Sequence, residues 1–273
     1  MRHINERFVA DLLNGELAFF LNQVKNARDR LSLEIRNGYI NIYYKGGSLL
    51  KITQKKTGYT FHFDAKYCNN KGNAENFELL KHLRSDDVAA YEQHFALMMQ
   101  EMDSWFDAHP KPERDYQHQL LVNNPEIVDI EYQVGQRMRL DMLFFADGKL
   151  MIVENKYGTG AIGGEAGVAE HYKDIREIMH NDKLRNEMID SVCHISQAKK
   201  ALGLTDNIIE REDIKSVEIL FLLANYNPKS QSLDKELDKM DGSVPTSVLK
   251  MDGTQVKISL KQMESAFAER HHE

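Results

Sequence analysis

The chain has 273 residues, 42% of them hydrophobic and 28% charged, and this composition is typical of a soluble globular protein with one or two domains. No apolar run approaches the roughly 18 residues of a membrane-spanning helix, and two cysteines, Cys68 and Cys193, exclude a disulfide framework. The first residues lack the long apolar stretch of a signal peptide, so we expect a cytoplasmic protein.

The formal net charge of −7 is unevenly distributed along the chain. Residues 1–85 carry 14 basic and 8 acidic side chains, a net charge of +6, so the remainder carries −13. A negative net charge argues mildly against a nucleic-acid-binding protein, which usually has a basic surface. The basic N-terminal part nevertheless leaves room for phosphate contacts, although its charges also fit an ordinary solvated surface.

The N-terminal part of the chain predicts an α+β accessory region. Apolar residues at helical spacing predict two helices within residues 4–36, separated at Asn14-Gly15. The elements predicted next are strands at Tyr39–Tyr44, Ser48–Thr53 and Tyr59–Phe63, a loop at 69–73, and helices at 74–84 and 88–108. Two prolines at Pro110 and Pro112 predict a boundary there, and hence domains of residues 1–109 and 110–273.

Four lysines lie at the turns and edges of the predicted N-terminal sheet, whose strands are rich in aromatic residues: Lys45, Lys51, Lys55 and Lys56. Aromatic residues interleaved with lysines can stack bases and hold phosphates. More often such residues pack a sheet and protect its edges. The four lysines are therefore weak candidates for nucleic-acid contacts.

The second part of the chain predicts one helix, three antiparallel strands, two helices and a crossover strand. These are a helix at Glu113–Val122, a strand at Ile127–Val134, the hairpin described next, helices at about 165–179 and 183–202, and a strand at Val217–Asn225. The last strand is a continuous apolar run, as is typical of a strand buried on both faces. The predicted elements that follow are a helix at Leu233–Met240, strands at Thr246–Met251 and Gln255–Ser259, and a helix at Leu260–Ala268.

The strongest local signal is a hairpin at Arg137–Lys156, in which two apolar runs flank Asp147-Gly148. Asp-Gly suits a type I′ turn, which needs positive φ at both central residues. This turn places three pairs opposite one another: Ala146 and Lys149, Asp141 and Glu154, and Arg139 and Lys156. Facing carboxylates repel, and a cation would turn that repulsion into a site suited to Mg²⁺ or Mn²⁺. The alternative is a solvated charge cluster at the strand ends.

Asp141, followed thirteen residues later by Glu154-Asn155-Lys156, resembles the PD-(D/E)XK motif of the restriction-endonuclease-like nuclease superfamily. In that family a core helix precedes a three-stranded meander, and the motif lies on the second and third strands. Leu140 stands where many members have proline. The resemblance covers about residues 110–225 and implies an α/β fold with a mixed sheet flanked by helices.

The resemblance further implies a metal-dependent nuclease that acts on DNA in preference to RNA, with Mg²⁺ (or Mn²⁺) as cofactor. Asp141 and Glu154 would bind the metal, and Lys156 would orient or deprotonate the attacking water or stabilise negative charge. Glu113 matches a glutamate that many members place near the metal, or it merely favours the helix dipole. The weaker candidates are Arg139 for phosphate and Gln117, His171 and Tyr172 as supporting residues.

Other functions stay open on the sequence. The nuclease fold can be kept as a catalytically inactive module that binds nucleic acid or protein, although the complete Asp–Glu–Lys set argues against a decayed site. A different metal-dependent hydrolase could use the same acids, but no histidine-rich metal pattern supports it. The resemblance allows a homodimer, since many members cut two strands as dimers, and it implies a role in restriction, repair or defence.

Overall fold

The computed structural model describes residues 1–68, 74–135 and 138–267. The protein is of the α/β class, with a four-stranded antiparallel sheet, a six-stranded mixed sheet and flanking helices, so the predicted α/β class with a mixed sheet is confirmed. The chain divides into two compact units: Met1–His118 with His194–Ile208, and Gln119–Cys193 with Ile209–Glu273. Within the described residues, no helix combines the length and apolar character needed to cross a membrane.

The first unit contains the antiparallel sheet, whose strands neighbour one another in chain order. They are β1 (Leu31–Ile35), β2 (Tyr39–Tyr44), β3 (Gly47–Gln54) and β4 (Tyr59–His62). The helices are α1 (Glu6–Asn14), α2 (Ala18–Asn26), α3 (Ala74–Lys81), α4 (Val88–Gln93) and α5 (Phe95–Ala108). Leu33, Ile42 and Leu50 pair across the sheet and are buried, as alternation along strands requires for a face that covers a core.

Two predictions in this unit are wrong, and the predicted loop at 69–73 lies outside the described residues. Residues 31–35, predicted as the end of a helix, form β1. Leu31, Leu33 and Ile35 are spaced by two and all buried, and pairing with β2 satisfies their backbone. The helix predicted at 88–108 is two helices, α4 and α5, which meet at His94.

The second unit contains the mixed sheet. Its strands are β5 (Ile127–Val134), β6 (Met138–Ala146), β7 (Lys149–Tyr157), β8 (Ser216–Ala224), β9 (Thr246–Met251) and β10 (Glu264–Ser265), in the spatial order β10-β9-β8-β7-β6-β5. β5, β6 and β7 form an antiparallel meander, whereas β8 is parallel to both β7 and β9. The remaining helices are α6 (Pro112–Asn123), α7 (Val168–His180), α8 (Asp182–Ala201) and α9 (Ser232–Leu237). The division between units falls within α6 and α8.

The hairpin of β6 and β7 has the predicted turn and the predicted register. Asp147 and Gly148 have φ values of 52° and 78°, as a type I′ turn requires. Five facing pairs, from Ala146↔Lys149 to Met142↔Val153, follow the predicted alignment. The pair that would come next in this alignment is Asp141 and Glu154.

The end of the chain departs from its prediction, since residues 255–259 form no strand. Asn124, which is buried, gives the reason. Its Nδ2 donates to the backbone oxygens of Leu120 and Val256, both at 2.7 Å, and its Oδ1 accepts from the backbone N–H of Ile258 at 2.8 Å. The side chain of Asn124 thereby forms the hydrogen bonds that these backbone groups would otherwise need from a neighbouring strand.

The helix predicted at 260–268 is also wrong within the described residues. Leu260–Gln262 form a single 3₁₀ turn, and Glu264–Ser265 form β10, which pairs with β9. Ala266 N–H donates to the backbone oxygen of Thr246, which continues the same edge pairing.

We expect Asn124→Ala to lower the free energy of unfolding by about 2–4 kcal/mol, because it leaves buried backbone groups unpaired. Urea unfolding followed by far-ultraviolet circular dichroism measures this. Asn123→Ala is the matched control. Asn123 is exposed, and its one side-chain hydrogen bond among the described residues goes to Gln119 on its own helix, so we expect a change below about 1 kcal/mol. Equal urea midpoints for the two variants would contradict this role of Asn124.

Candidate functional site

Three consecutive polar residues are buried at the carboxyl end of β7. Glu154, Asn155 and Lys156 are 0%, 1% and 6% exposed, respectively. Because side chains alternate along a strand, Glu154 and Lys156 share one face of the sheet and Asn155 faces the other. Lys156 Nζ lies 4.0 Å from Glu154 Oε2. A carboxylate and an ammonium group are thus held together away from water.

Asp141 joins this group through an unusual hydrogen bond between β6 and β7. Its Oδ2 accepts from the backbone N–H of Asn155 at 2.9 Å, at the point where the ladder of the two strands stops at Met142↔Val153. In the hairpin alignment, that N–H faces the carbonyl of Leu140. The Asp141 carboxylate therefore replaces a backbone acceptor and is fixed beside Glu154.

The two carboxyl groups influence each other. Burial and the neighbouring charge of Glu154 raise the pKa of Asp141 to about 7, whereas the hydrogen bond from Asn155 and the charge of Lys156 act in the opposite direction. A positive charge placed at this site would favour the ionised form of Asp141.

His171, in the first turn of α7, lies against Glu154. Its Nδ1 is 2.9 Å from Glu154 Oε2, which is an ion-pair distance. The contact with Glu154 raises the pKa of His171, while burial of the ring acts to lower it. The sequence predicted His171 only as a weak supporting residue, since nothing local to α7 shows that it returns to the end of β7.

Glu131, on β5, is a member of the cluster that the sequence analysis missed. On the β5–β6 ladder Tyr132 pairs with Leu140 and Ile130 with Met142, so Glu131 and Asp141 lie between the same two pairs. The charge of Glu131 contributes to raising the pKa of Asp141. Its φ of 53° is uncommon for a residue other than glycine and costs about 1 kcal/mol or more.

Several buried polar atoms of this cluster make no hydrogen bond with any described residue. They are both carboxylate oxygens of Glu154 and both amide atoms of Asn155. A buried group left unpaired costs about 1–3 kcal/mol, and a charged one costs more. Such deficits are rare in folded proteins, and perturbed titratable groups cluster at functional sites. The end of β7 is accordingly the candidate functional site of the second unit.

The remaining predicted residues lie elsewhere or have other partners. Arg139 is exposed and forms an ion pair with Glu131 at 2.9 Å, so its guanidinium group already has a carboxylate partner. The hydroxyl of Tyr172 donates to Asp241 at 2.7 Å. Glu113 is exposed and Gln117 half-buried, and both belong to the first unit. Their predicted support of the site stays a prediction.

The four lysines of the N-terminal sheet differ in their partners. Lys45 Nζ forms an ion pair with Asp103 at 2.6 Å. Lys51 Nζ lies 4.2 Å from the centre of the Tyr39 ring. Lys55 and Lys56 are exposed between β3 and β4. Within the described part of the chain, these last three lysines form no ion pair.

No group of three or more His, Cys, Asp or Glu side chains that could hold a metal ion is present among residues 1–68, 74–135 and 138–267. Comparison with protein-family models, with curated proteins and with solved structures finds no match for the chain.

We expect Glu154→Gln to lower the pKa of Asp141 while leaving it above its ordinary value, because the neighbouring charge is removed but burial remains. Titration of the carboxyl ¹³C resonances by NMR measures this. Glu131→Gln, which removes a charge that contributes less than that of Glu154, serves as the control and should lower the pKa less. If Glu131→Gln lowered the pKa of Asp141 more than Glu154→Gln did, Asp141 and Glu154 would not be close neighbours in solution.

Proposed function

We propose that this chain is a metal-dependent nuclease that hydrolyses phosphodiester bonds of DNA, with its active site at Asp141, Glu154 and Lys156. The observation that carries the proposal is that a buried carboxylate, a half-buried carboxylate and a buried lysine lie together at the end of one hairpin. Burying these charges is costly for stability alone. Phosphodiester hydrolysis uses such a set, since carboxylates hold a cation and an ammonium group stabilises the developing negative charge.

The order of elements in the second part of the chain supports this proposal. α6 precedes the meander β5–β6–β7, and α7 and α8 then lead to β8, which is parallel to β7. This is the order that the resemblance to the PD-(D/E)XK superfamily implies. Asp141 lies on the second strand of the meander, and Glu154 and Lys156 lie on the third.

The residues present fit a hard divalent cation such as Mg²⁺ or Mn²⁺. The donors are carboxylate oxygens, which these cations prefer, and both oxygens of Glu154 are buried without a hydrogen bond among the described residues. Asp141 and Glu154 would hold the ion. Once bound, the ion would polarise the scissile phosphate and lower the pKa of a bound water.

The side chains around the acids have separate tasks in this proposal. Asp141, tied to the backbone of Asn155, has little freedom to turn away from Glu154. Lys156, almost fully buried next to Glu154, would orient the attacking water or stabilise the extra negative charge on the phosphate. The apolar strands on either side of β7 exclude bulk water, which strengthens these electrostatic interactions.

We expect Asp141→Asn and Glu154→Gln each to lower the Mg²⁺-dependent cleavage rate of DNA by about 100-fold or more while the fold persists. This is the usual loss when one electrostatic contact to a reacting centre is removed. Cleavage of a fluorescent DNA substrate measures the rate, and circular dichroism checks the fold.

Asp147→Asn is the matched control for these variants. It makes the same chemical change at the turn of the same hairpin, where asparagine also accepts positive φ, so the rate should stay within about twofold of wild type. Full activity in Asp141→Asn or Glu154→Gln would overturn the proposed site. A folded wild type that binds DNA without cleaving it under any divalent cation would favour the catalytically inactive binding module.

We also propose that Lys51, Lys55 and Lys56 of the first unit contact DNA phosphates, because they have no ion-pair partner among the described residues. Replacing all three by alanine should weaken DNA binding and make it less dependent on salt. The slope of log affinity against log salt should fall by about 0.9 for each phosphate of duplex DNA that the variant no longer neutralises. Fluorescence anisotropy at several salt concentrations measures the slope.

The matched control removes three positive charges of the same unit that already have acidic partners: Lys45 with Asp103, Lys66 with Asp64, and Arg84 with Asp86. This triple alanine variant changes the net charge by the same amount. Its salt slope should equal that of wild type if local contacts, and not net charge, bind the DNA. Equal slopes for both triple variants would remove Lys51, Lys55 and Lys56 from the DNA-binding surface.

A further inference from the structure

The carboxylate of Glu154 is inaccessible, although the proposed function requires a cation to reach it. The residue is 0% exposed. Two basic side chains lie close to Oε2, His171 Nδ1 at 2.9 Å and Lys156 Nζ at 4.0 Å. The side chain of His171 is 27% exposed, against 7% for Lys156. Of the two, His171 is the one that separates Glu154 from solvent.

We propose that His171 is a displaceable cover of Glu154, so that its contact with Glu154 and the binding of a divalent cation there exclude each other. This inference rests on the proposed function. An imidazole nitrogen at 2.9 Å fills the space next to Oε2 that a cation coordinated by that oxygen would need. A rotation of the His171 side chain would free this space, because that side chain is already 27% exposed.

The rival role for His171 is that of a third ligand to the cation. The donor chemistry argues against it, since Mg²⁺ prefers oxygen ligands and imidazole suits zinc, copper and iron. The arrangement argues against it as well. The Nδ1 of His171 lies 2.9 Å from the carboxylate oxygen itself, and within the described residues no three acidic, histidine or cysteine side chains form a group that could hold a metal ion.

The same contact explains how the protein tolerates Glu154 when no cation is bound. A buried carboxylate with neither a hydrogen bond nor a counter-charge is strongly destabilising. The imidazole of His171 and the ammonium of Lys156 provide polar neighbours on one side. Of these two side chains His171 is the more exposed, so it is the one that would move into solvent when a cation takes its place.

The test is calorimetric titration of the full-length protein with Mg²⁺ alone, in wild type, His171→Ala, His171→Gln and Glu154→Gln. A partly buried ion pair is worth about 1 kcal/mol, which corresponds to about a fivefold change in Kd. We therefore expect His171→Ala to bind Mg²⁺ about fivefold more tightly than wild type. His171→Gln, whose amide can fill the same space beside Glu154, should stay near wild type, and Glu154→Gln should lose binding.

His180→Ala is the matched control, since His180 is an exposed histidine in the last turn of the same helix, and its Kd should equal that of wild type. As a second measurement, the imidazole ¹⁵N resonances of His171 should shift on addition of Mg²⁺ to wild type and stay unchanged in Glu154→Gln.

Three outcomes would overturn the inference. Weaker Mg²⁺ binding in His171→Ala would show that His171 is a ligand of the cation, and unchanged binding would show that it has no role in binding. The proposed metal site would stand in both cases. Unchanged His171 resonances in protein that binds Mg²⁺ would have the same meaning. Absence of Mg²⁺ binding in every variant, His171→Ala included, would remove the proposed metal site and the cover with it.

Discussion

The candidate site depends on the register of the hairpin formed by β6 and β7. The turn at Asp147-Gly148 sets that register, because both residues adopt the positive φ of a type I′ turn. The alignment brings Asp141 to the level of Glu154 at the far end of the hairpin. A slip by one residue would move the two acids to different faces of the sheet. A turn that is remote from the site along both strands therefore decides whether the site exists.

The burial of charge at this site carries a cost that the surrounding sheet offsets. Glu154 pairs in the parallel ladder with Phe221 and follows Val153, both fully buried. Apolar burial contributes about 25 cal/mol per Å², so a central strand of this kind can tolerate a polar segment at one end. A sheet that had only to be stable would place apolar residues there, because replacing a buried ion pair by apolar groups is often stabilising. The polar segment is therefore better explained by chemistry than by stability.

Local patterns predicted most of the elements, and the failures share a physical cause. The strands at residues 39–44 and 127–134 have the predicted bounds, and the strand at 216–224 lies within one residue of the continuous apolar run that predicts it. The helices α7 and α8 lie within three residues of their predicted bounds. The predictions for residues 31–35 and 255–259 are wrong because groups distant in the sequence determine their conformation. β2 pairs with the former, and the side chain of Asn124 takes backbone groups of the latter.

By itself, the sequence determined the α/β class, the central hairpin with its turn, and the placing of Asp141, Glu154 and Lys156 at one end of it. These features depend on residue spacing and turn chemistry, which act over a few residues. Only the tertiary structure decided that Asp141 accepts the backbone N–H of Asn155, that Glu131 joins the cluster, and that His171 contacts Glu154. Those contacts join different strands and a helix, so they depend on how the elements pack and not on any local pattern.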